Sequence, residues 1–452
     1  MKILIAGSGK VGATLAGQLA AEGFEITLID SNPKILESTV EMCDVMVFEG
    51  NAASMSMLRH AGVKDADLLI ATTGADEVNL LCCATAHGMN PKLHAIARIR
   101  NPEYMDQAYA LRDAFGLSLT INPERQAAQE MARLLQFPGF LKRESFARGR
   151  IEIVELKISA DSKLCNVPLN ELQGIVKCRV LVCLVLRDGR AIAPDGSFVL
   201  HENDRIFVTA PTNALAELLK NLGIITRRAE TVLVAGGGRV SYYLAGQLEK
   251  SGIHVRIIEK DFERCRHLAT MMPNLDIVHG DASSKSLLES EGLRRVGALV
   301  TATGMDELNM MISLYGVNLG VPQIITKISH VYSDDIIHSL PIQSVICPTT
   351  LCANQILRYV RAMKNQTGAA LSVHSIADGH AEATEFIADE KTLNCGKPLR
   401  EIRLRKNVLI ASISHGGRID IPNGDSTFRS GDYIIVVTSS GTPVYQLNDI
   451  FE

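Results

Sequence analysis

The residues best placed to do chemistry lie near the start of the chain. Gly7-Ser8-Gly9-Lys10-Val11-Gly12 is a G-x-G-x-x-G turn, and Asp30 closes the next apolar run. Together they have the spacing of a dinucleotide-binding unit. Gly7 permits the tight turn, Gly9 lets the backbone approach a diphosphate, and Gly12 allows close packing of helix on strand. The free N–H groups and positive dipole end of the following helix attract phosphate. Asp30 suits both hydroxyls of an adenosine ribose and would repel a 2′-phosphate, which disfavours NADP. Further candidates are Asn51, Thr73, Gly74, Arg98 and Arg100. Lys10, Arg98 and Arg100 could stabilise the extra charge of a triphosphate. Alternatively, Arg98 pairs with an acid such as Asp76 or Glu103.

The elements that must position these residues alternate. Strands are expected at Ile3–Ala6, Ile26–Ile29, Val45–Phe48, Leu68–Ala71, His94–Ile99 and Leu117–Ile121, with helices following Gly9, across Val78–His87 and across Gln126–Gln136. Such alternation predicts a doubly wound parallel sheet, whose ligands sit beyond the carboxyl ends of the strands. Asp30, Asn51, Thr73, Gly74 and Arg98 all fall at or near such ends. From Arg150 the pattern becomes strand-rich, as expected of a small α+β domain.

The whole unit then repeats. Gly7 corresponds to Gly236, Asp30 to Glu259, Asn51 to Asp281, Gly74 to Gly304 and Asn79 to Asn309, at a nearly constant offset. The expected fold class is therefore α/β: a tandem duplication of a Rossmann-like doubly wound domain followed by a small α+β domain. The expected divisions are 1–136, a linker at 137–149, 150–227, 228–350, a linker helix at 351–369, and 370–452. The second copy offers Gly236, Gly237, Gly238, Arg239, Val240, Glu259, Asp281 and Thr303 as counterpart ligands. Ser241 replaces the third glycine, while Lys327 and Ser329 stand in for Arg98 and Arg100. This second cleft is either a working nucleotide site, less basic at its phosphate end, or a decayed structural copy.

Composition narrows the function. Hydrophobic residues make up 46% and charged residues 21%, with a formal charge of −4. This gives no electrostatic case for nucleic acid. Ten cysteines lie scattered without a CxxC pair, as expected of reduced thiols in a cytosolic protein. The histidines of the small domains share no position between copies and show no metal-ligand spacing, so no metal is expected. Neither a G-x-S-x-G nor a P-loop lysine motif is present. Cofactor fold alone does not imply catalysis, so the expectation is a non-enzyme. The alternatives are an NAD-dependent oxidoreductase and a soluble nucleotide or redox sensor without a membrane partner.

The opening MKILIAGSGKVGATLA, GNAAS at Gly50, ATTGADEVNLL at Ala71, INPER at Ile121 and the full-length tandem arrangement resemble the TrkA family, the cytoplasmic nucleotide-binding subunits of Trk potassium uptake systems. That resemblance implies a homotetrameric ring with eight nucleotide domains. It implies docking on the inner face of a potassium-translocating membrane subunit, and binding of NAD(H) and of ATP or ADP. It also implies gating by a ligand-driven change of ring shape. The family's nucleotide contacts carry over onto Gly7, Ser8, Gly9, Lys10, Val11, Asp30, Thr73, Gly74 and Arg98, and onto Gly236 to Val240, Glu259, Asp281 and Thr303.

Overall fold

In the first copy of the computed structural model, β1 (Lys2–Ala6), β2 (Glu25–Asp30), β3 (Met46–Glu49), β4 (Leu68–Ala71), β5 (His94–Arg98) and β6 (Leu117–Ile121) form a sheet in the order 3-2-1-4-5-6. All its pairings are parallel. Strands β1 and β4 are buried almost throughout, as a sheet covered on both faces requires. The second copy repeats this order with β12 (Thr231–Ala235), β13 (His254–Glu259), β14 (Asp276–His279), β15 (Ala298–Thr301), β16 (Gln323–Lys327) and β17 (Ser344–Ile346). The structure describes all residues except 137–139, 147–149, 225–228, 330–339, 341, 365–369, 417, 440–443 and 445. The expected divisions at 137, 149, 227/228 and 369 fall outside the described residues.

Each large domain leads into an antiparallel sheet. The first joins β7 (Lys142–Phe146), β8 (Ile151–Lys157), β9 (Leu181–Arg187), β10 (Arg190–Ile192) and β11 (Arg205–Pro211) in the order 10-9-11-8-7. The second joins β18 (Ser372–Ile376), β19 (Ala381–Ile387), β20 (Val408–His415), β21 (Arg418–Asp420) and β22 (Tyr433–Thr438) in the order 18-19-22-20-21. The segment 137–149, expected as a linker, contributes β7, an edge strand paired with β8. Its polar residues hid it, because Arg143 and Glu144 on that strand are held by polar partners, Glu152 and His374, rather than by an apolar face.

Two helices exchange places between the copies. The helix Pro123–Gln136 belongs to the first copy by sequence. Its buried Ala127, Ala128, Met131, Leu134 and Leu135 pack with Val232, Val234, Leu244 and Ile257 of the second. The helix Pro348–Lys364 does the reverse, burying Cys352, Ala353, Ile356 and Val360 against Ile3, Ile5, Leu15 and Leu28. Thus the helix expected as a linker is a core element of the first domain. Each sheet has one face covered by its own helices and the other completed by its sister copy. The apolar stripes are worth about 1.5–3 kcal/mol per large side chain buried. Polar contacts reinforce the exchange: Gln323 Nε2 donates to Leu134 O at 2.8 Å, and Arg361 pairs with Glu22 at 2.5 Å. The small domains also meet, with Phe146, Ile153 and Phe207 of one sheet packed with Ile376, Ala383 and Val437 of the other.

Candidate functional site

The turn from β1 into the helix Lys10–Ala21 sets the first cleft. Gly7 has φ +97°, and a Cβ there would stand 2.7 Å from the Thr73 nitrogen. A Cβ on Gly12 would stand 1.9 Å from the Gly7 carbonyl oxygen, so only glycine lets this helix approach so closely. At Gly9 a Cβ would meet nothing within 4 Å, which leaves the helix N-terminus open on that side. Lys10 is exposed at the first helical position.

Asp30 lies at the end of β2, facing the turn. Its Oδ2 accepts the Ser8 N–H at 2.6 Å and its Oδ1 accepts the Asn32 N–H at 2.9 Å. Each carboxylate oxygen keeps a further lone pair, enough to accept from a ribose diol. Asn51 instead organises its own loop, accepting from Ala53 N at 3.0 Å. Val11 is buried under the turn, so of its groups the backbone is the one suited to a phosphate.

The basic end is built on the strand ends of β4 and β5. Arg98 Nη2 donates to the Thr73 carbonyl at 2.5 Å, and Arg100 Nη2 donates to the Gly74 carbonyl. Arg98 is therefore paired with neither of the acids expected for it. It is Arg100 whose Nε lies 3.5 Å from Asp76. Burial, with neighbouring Arg100 adding to it, lowers the Arg98 pKa from its usual value. The Nε atoms of both arginines are buried without a hydrogen-bond partner, as is Glu124 Oε2. The two guanidiniums hold the loop that carries Thr73 and Gly74, and Thr73 stands beside Gly7 of the glycine turn.

Two positioning residues were missed from sequence. Asn79 is fully buried; its Oδ1 accepts the Thr73 N–H and the Thr73 hydroxyl, both at 2.7 Å, and its Nδ2 donates to the Arg98 carbonyl at 2.9 Å. Asp76 Oδ2 accepts the backbone N–H groups of Arg100 and Asn101, both at 2.8 Å. Their recurrence as Asn309 and Asp306 was the available signal. A third contact comes from the other copy: Tyr243 donates to the Arg100 carbonyl at 3.1 Å and accepts from Asn122 at 3.0 Å.

The second cleft repeats this framework. Glu259 accepts from Gly237 N at 2.6 Å and Asp261 N at 2.8 Å; Asn309 holds Thr303 and the Lys327 carbonyl. Lys327 Nζ donates to the Thr303 carbonyl at 2.6 Å, taking the place of Arg98, while Ser329 keeps the backbone bond to Asp306 at 2.9 Å. Burial lowers the Lys327 pKa, opposed by Asp306 and reinforced by Lys10 of the first copy. Ser241, fully buried where the third glycine would be, donates to the Gly236 carbonyl at 2.5 Å. Gly236 and Gly238 keep their counterparts' conformations, whereas a Cβ on Gly237 would meet Leu268. Arg264 reaches the Gly237 carbonyl at 2.8 Å. Asp281 pairs with Lys260 at 2.9 Å, and hydrogen bonds from Lys260 and Ser283 hold its pKa far below the usual value. Arg239 is exposed at the helix start and Val240 buried beneath it. What the second copy lacks is the cation supplied by Arg100.

Residues 3–123 and 232–348 match the model of the TrkA-N domain, and residues 153–223 and 384–450 that of the TrkA-C domain. The chain belongs to the TrkA family. The "Trk system potassium uptake protein TrkA" of Haemophilus influenzae is 30% identical, covering 100% of this chain and 99% of that protein. The "Trk system potassium uptake protein TrkA homolog" of Archaeoglobus fulgidus is 32% identical, covering 96% and 97%. Solved structures of like fold include the GsuK RCK domain, with a TM-score of 0.64 at 18% identity over 97% of this chain and 92% of that one. The GsuK channel bound to NAD has a TM-score of 0.63 at 18% identity, covering 97% and 77%. As a TrkA-family chain it carries no helix, among the described residues, long and apolar enough to cross a membrane.

Proposed function

We propose that this chain is the regulatory subunit of a Trk-type potassium uptake system, binding NAD(H), ATP or ADP in its Rossmann-like clefts and gating a potassium-translocating membrane subunit from the cytoplasmic side. The observation that carries this reading is the first cleft. An open helix N-terminus, the Asp30 carboxylate and two arginines at the strand ends converge on one edge of the sheet. Adenosine binds through Asp30, and the phosphates lie at the Gly7–Val11 turn. The names of its full-length relatives support potassium uptake as the process served.

The working assembly is a homotetrameric ring of eight nucleotide domains, attached to the membrane through its partner. In that ring the chemistry is binding, without turnover. Arg98 and Arg100 hold neutral carbonyls in this state. A phosphate at the adjoining helix N-terminus competes for those donors with charge-assisted bonds, roughly twice as strong. Drawing them away loosens the Thr73–Gly74 loop from the end of β5, where Tyr243 from the sister copy grips the Arg100 backbone carbonyl. Ligand exchange then changes how the copies sit on one another. A ligand must favour one ring shape by about 5.5 kcal/mol to move the populations from 1:99 to 99:1.

Calorimetric titration with ATP, ADP, NAD and NADH tests this. Asp30→Ala is expected to abolish saturable binding in the first cleft, and Glu259→Ala to remove any binding due to the second. Wild-type chain that binds none of the four nucleotides refutes the reading.

A further inference from the structure

Glu144 on β7 and His374 on β18 stand 230 positions apart, the offset of the repeat, so they are the same position in the two copies. They also touch: Glu144 Oε2 lies 2.5 Å from His374 Nδ1. Residues equivalent in a duplicated chain meet only where the axis relating the copies passes between them. The reciprocal exchange of the two helices obeys the same twofold relation. Both strands are edge strands, and they meet where the small sheets pack together.

The chemistry at the axis is asymmetric. His374 is buried, its ring 4.4 Å from that of Phe146. Arg358 Nη1 lies 3.1 Å from His374 Nε2. The same nitrogen lies 3.3 Å from Nδ1, so the guanidinium sits against the ring, and because an ionised carboxylate only accepts, Nδ1 carries the hydrogen that faces Glu144. A carboxylate, an imidazole and a guanidinium thus lie in contact across the axis.

We propose that the Glu144–His374 pair selects the partner of each small domain, joining first copy to second and rejecting like with like. The small sheets are near-equivalent, and a ring of several chains offers every copy a like partner on another chain. Two first copies would press two Glu144 carboxylates together, which cannot both stay ionised at that distance. Two second copies would oppose two Nδ1–H donors with no acceptor between them and a donor-only arginine against each ring. Only the mixed pair is complementary. Specificity here is a difference between pairings, set as much by what the wrong ones cost.

The test uses the full-length chain and light scattering after size exclusion, with urea unfolding alongside. His374→Glu and Glu144→His each make all pairings alike. Each is expected to lower the urea midpoint and to raise the share of larger, polydisperse species about tenfold, from two carboxylates opposed in His374→Glu and two imidazoles opposed in Glu144→His. The double swap Glu144→His/His374→Glu restores complementarity and should return both the discrete mass and the midpoint. If the single variants do not fold, a double swap that folds to the discrete species supports the proposal. Single variants with an unchanged mass distribution overturn it, since the pair then only adds stability. A double swap no better than the singles overturns it as well.

Discussion

Asn79→Ala is the most informative perturbation of the first cleft. The side chain is fully buried and spans two strand ends, bonding Thr73 on one side and the Arg98 carbonyl on the other. Truncation leaves the Thr73 N–H and the Arg98 carbonyl unpaired. The Thr73 hydroxyl still reaches the Ala75 carbonyl at 3.2 Å, so it adds little to the cost. An unsatisfied buried group costs about 1–3 kcal/mol, which makes the total for the two about 2–6 kcal/mol. Urea unfolding measures that loss, and nucleotide titration measures the consequence for the cleft, because the Thr73–Gly74 loop loses its fixed position. Asn309→Ala is the internal control. It removes the corresponding bonds to Thr303 and the Lys327 carbonyl and should cost a similar amount, yet spare the first cleft. A loss below about 0.5 kcal/mol for Asn79→Ala would refute the accounting. Full loss of stability with unchanged nucleotide affinity would refute the link between this tether and the site.

Three further outcomes follow from particular contacts. Gly12→Ser places a Cβ 1.9 Å from the Gly7 carbonyl oxygen, so it should cost about 1–3 kcal/mol and weaken nucleotide binding in the first cleft, while Ser241→Gly should be mild. Burial, against the pull of Arg133, pushes the Glu130 carboxyl from 4.5 up to about 7. Between those values the folded chain holds a proton that the unfolded chain releases. Stability is therefore lost as pH rises through this window, by about 3 kcal/mol, and Glu130→Gln should flatten that part of a urea-midpoint profile taken from about pH 5 to about pH 8. Burial raises the Cys82 pKa to about 12 and that of Cys83 well above its usual value, and both thiols are fully buried. A thiol reagent should label exposed Cys395 first in the native chain and reach Cys82 and Cys83 only after denaturation.

The tethers at Asn79 and Asn309 show how a sequence can carry a residue without revealing its role. Their matching positions marked the repeat, but an asparagine six residues after a threonine has no local signature. Its bond to the Arg98 carbonyl, which ties the two strand ends together, exists only once β4 and β5 lie side by side. The same limit applies to Arg98 and Arg100. Their positions beyond a strand end were legible, whereas their acceptors are backbone carbonyls of another loop and no charge pattern announces those. The strand Lys142–Phe146 escaped because its polar side chains are satisfied by partners distant in sequence, including His374.

By itself, the sequence determined the glycine turn, the acid after the second strand, the alternation of strand and helix, and the duplication. These are local or periodic properties, written in residues close to one another or in copies of one pattern. Only the tertiary structure decided which copy covers which sheet. The apolar stripe on Pro123–Gln136 demands a surface to bury it, and either sheet would satisfy that demand. It also decided that Glu144 would meet its own counterpart across the axis. Hydrophobic burial is non-directional, so the pattern fixes that a face is covered, while long-range packing and paired charges fix what covers it.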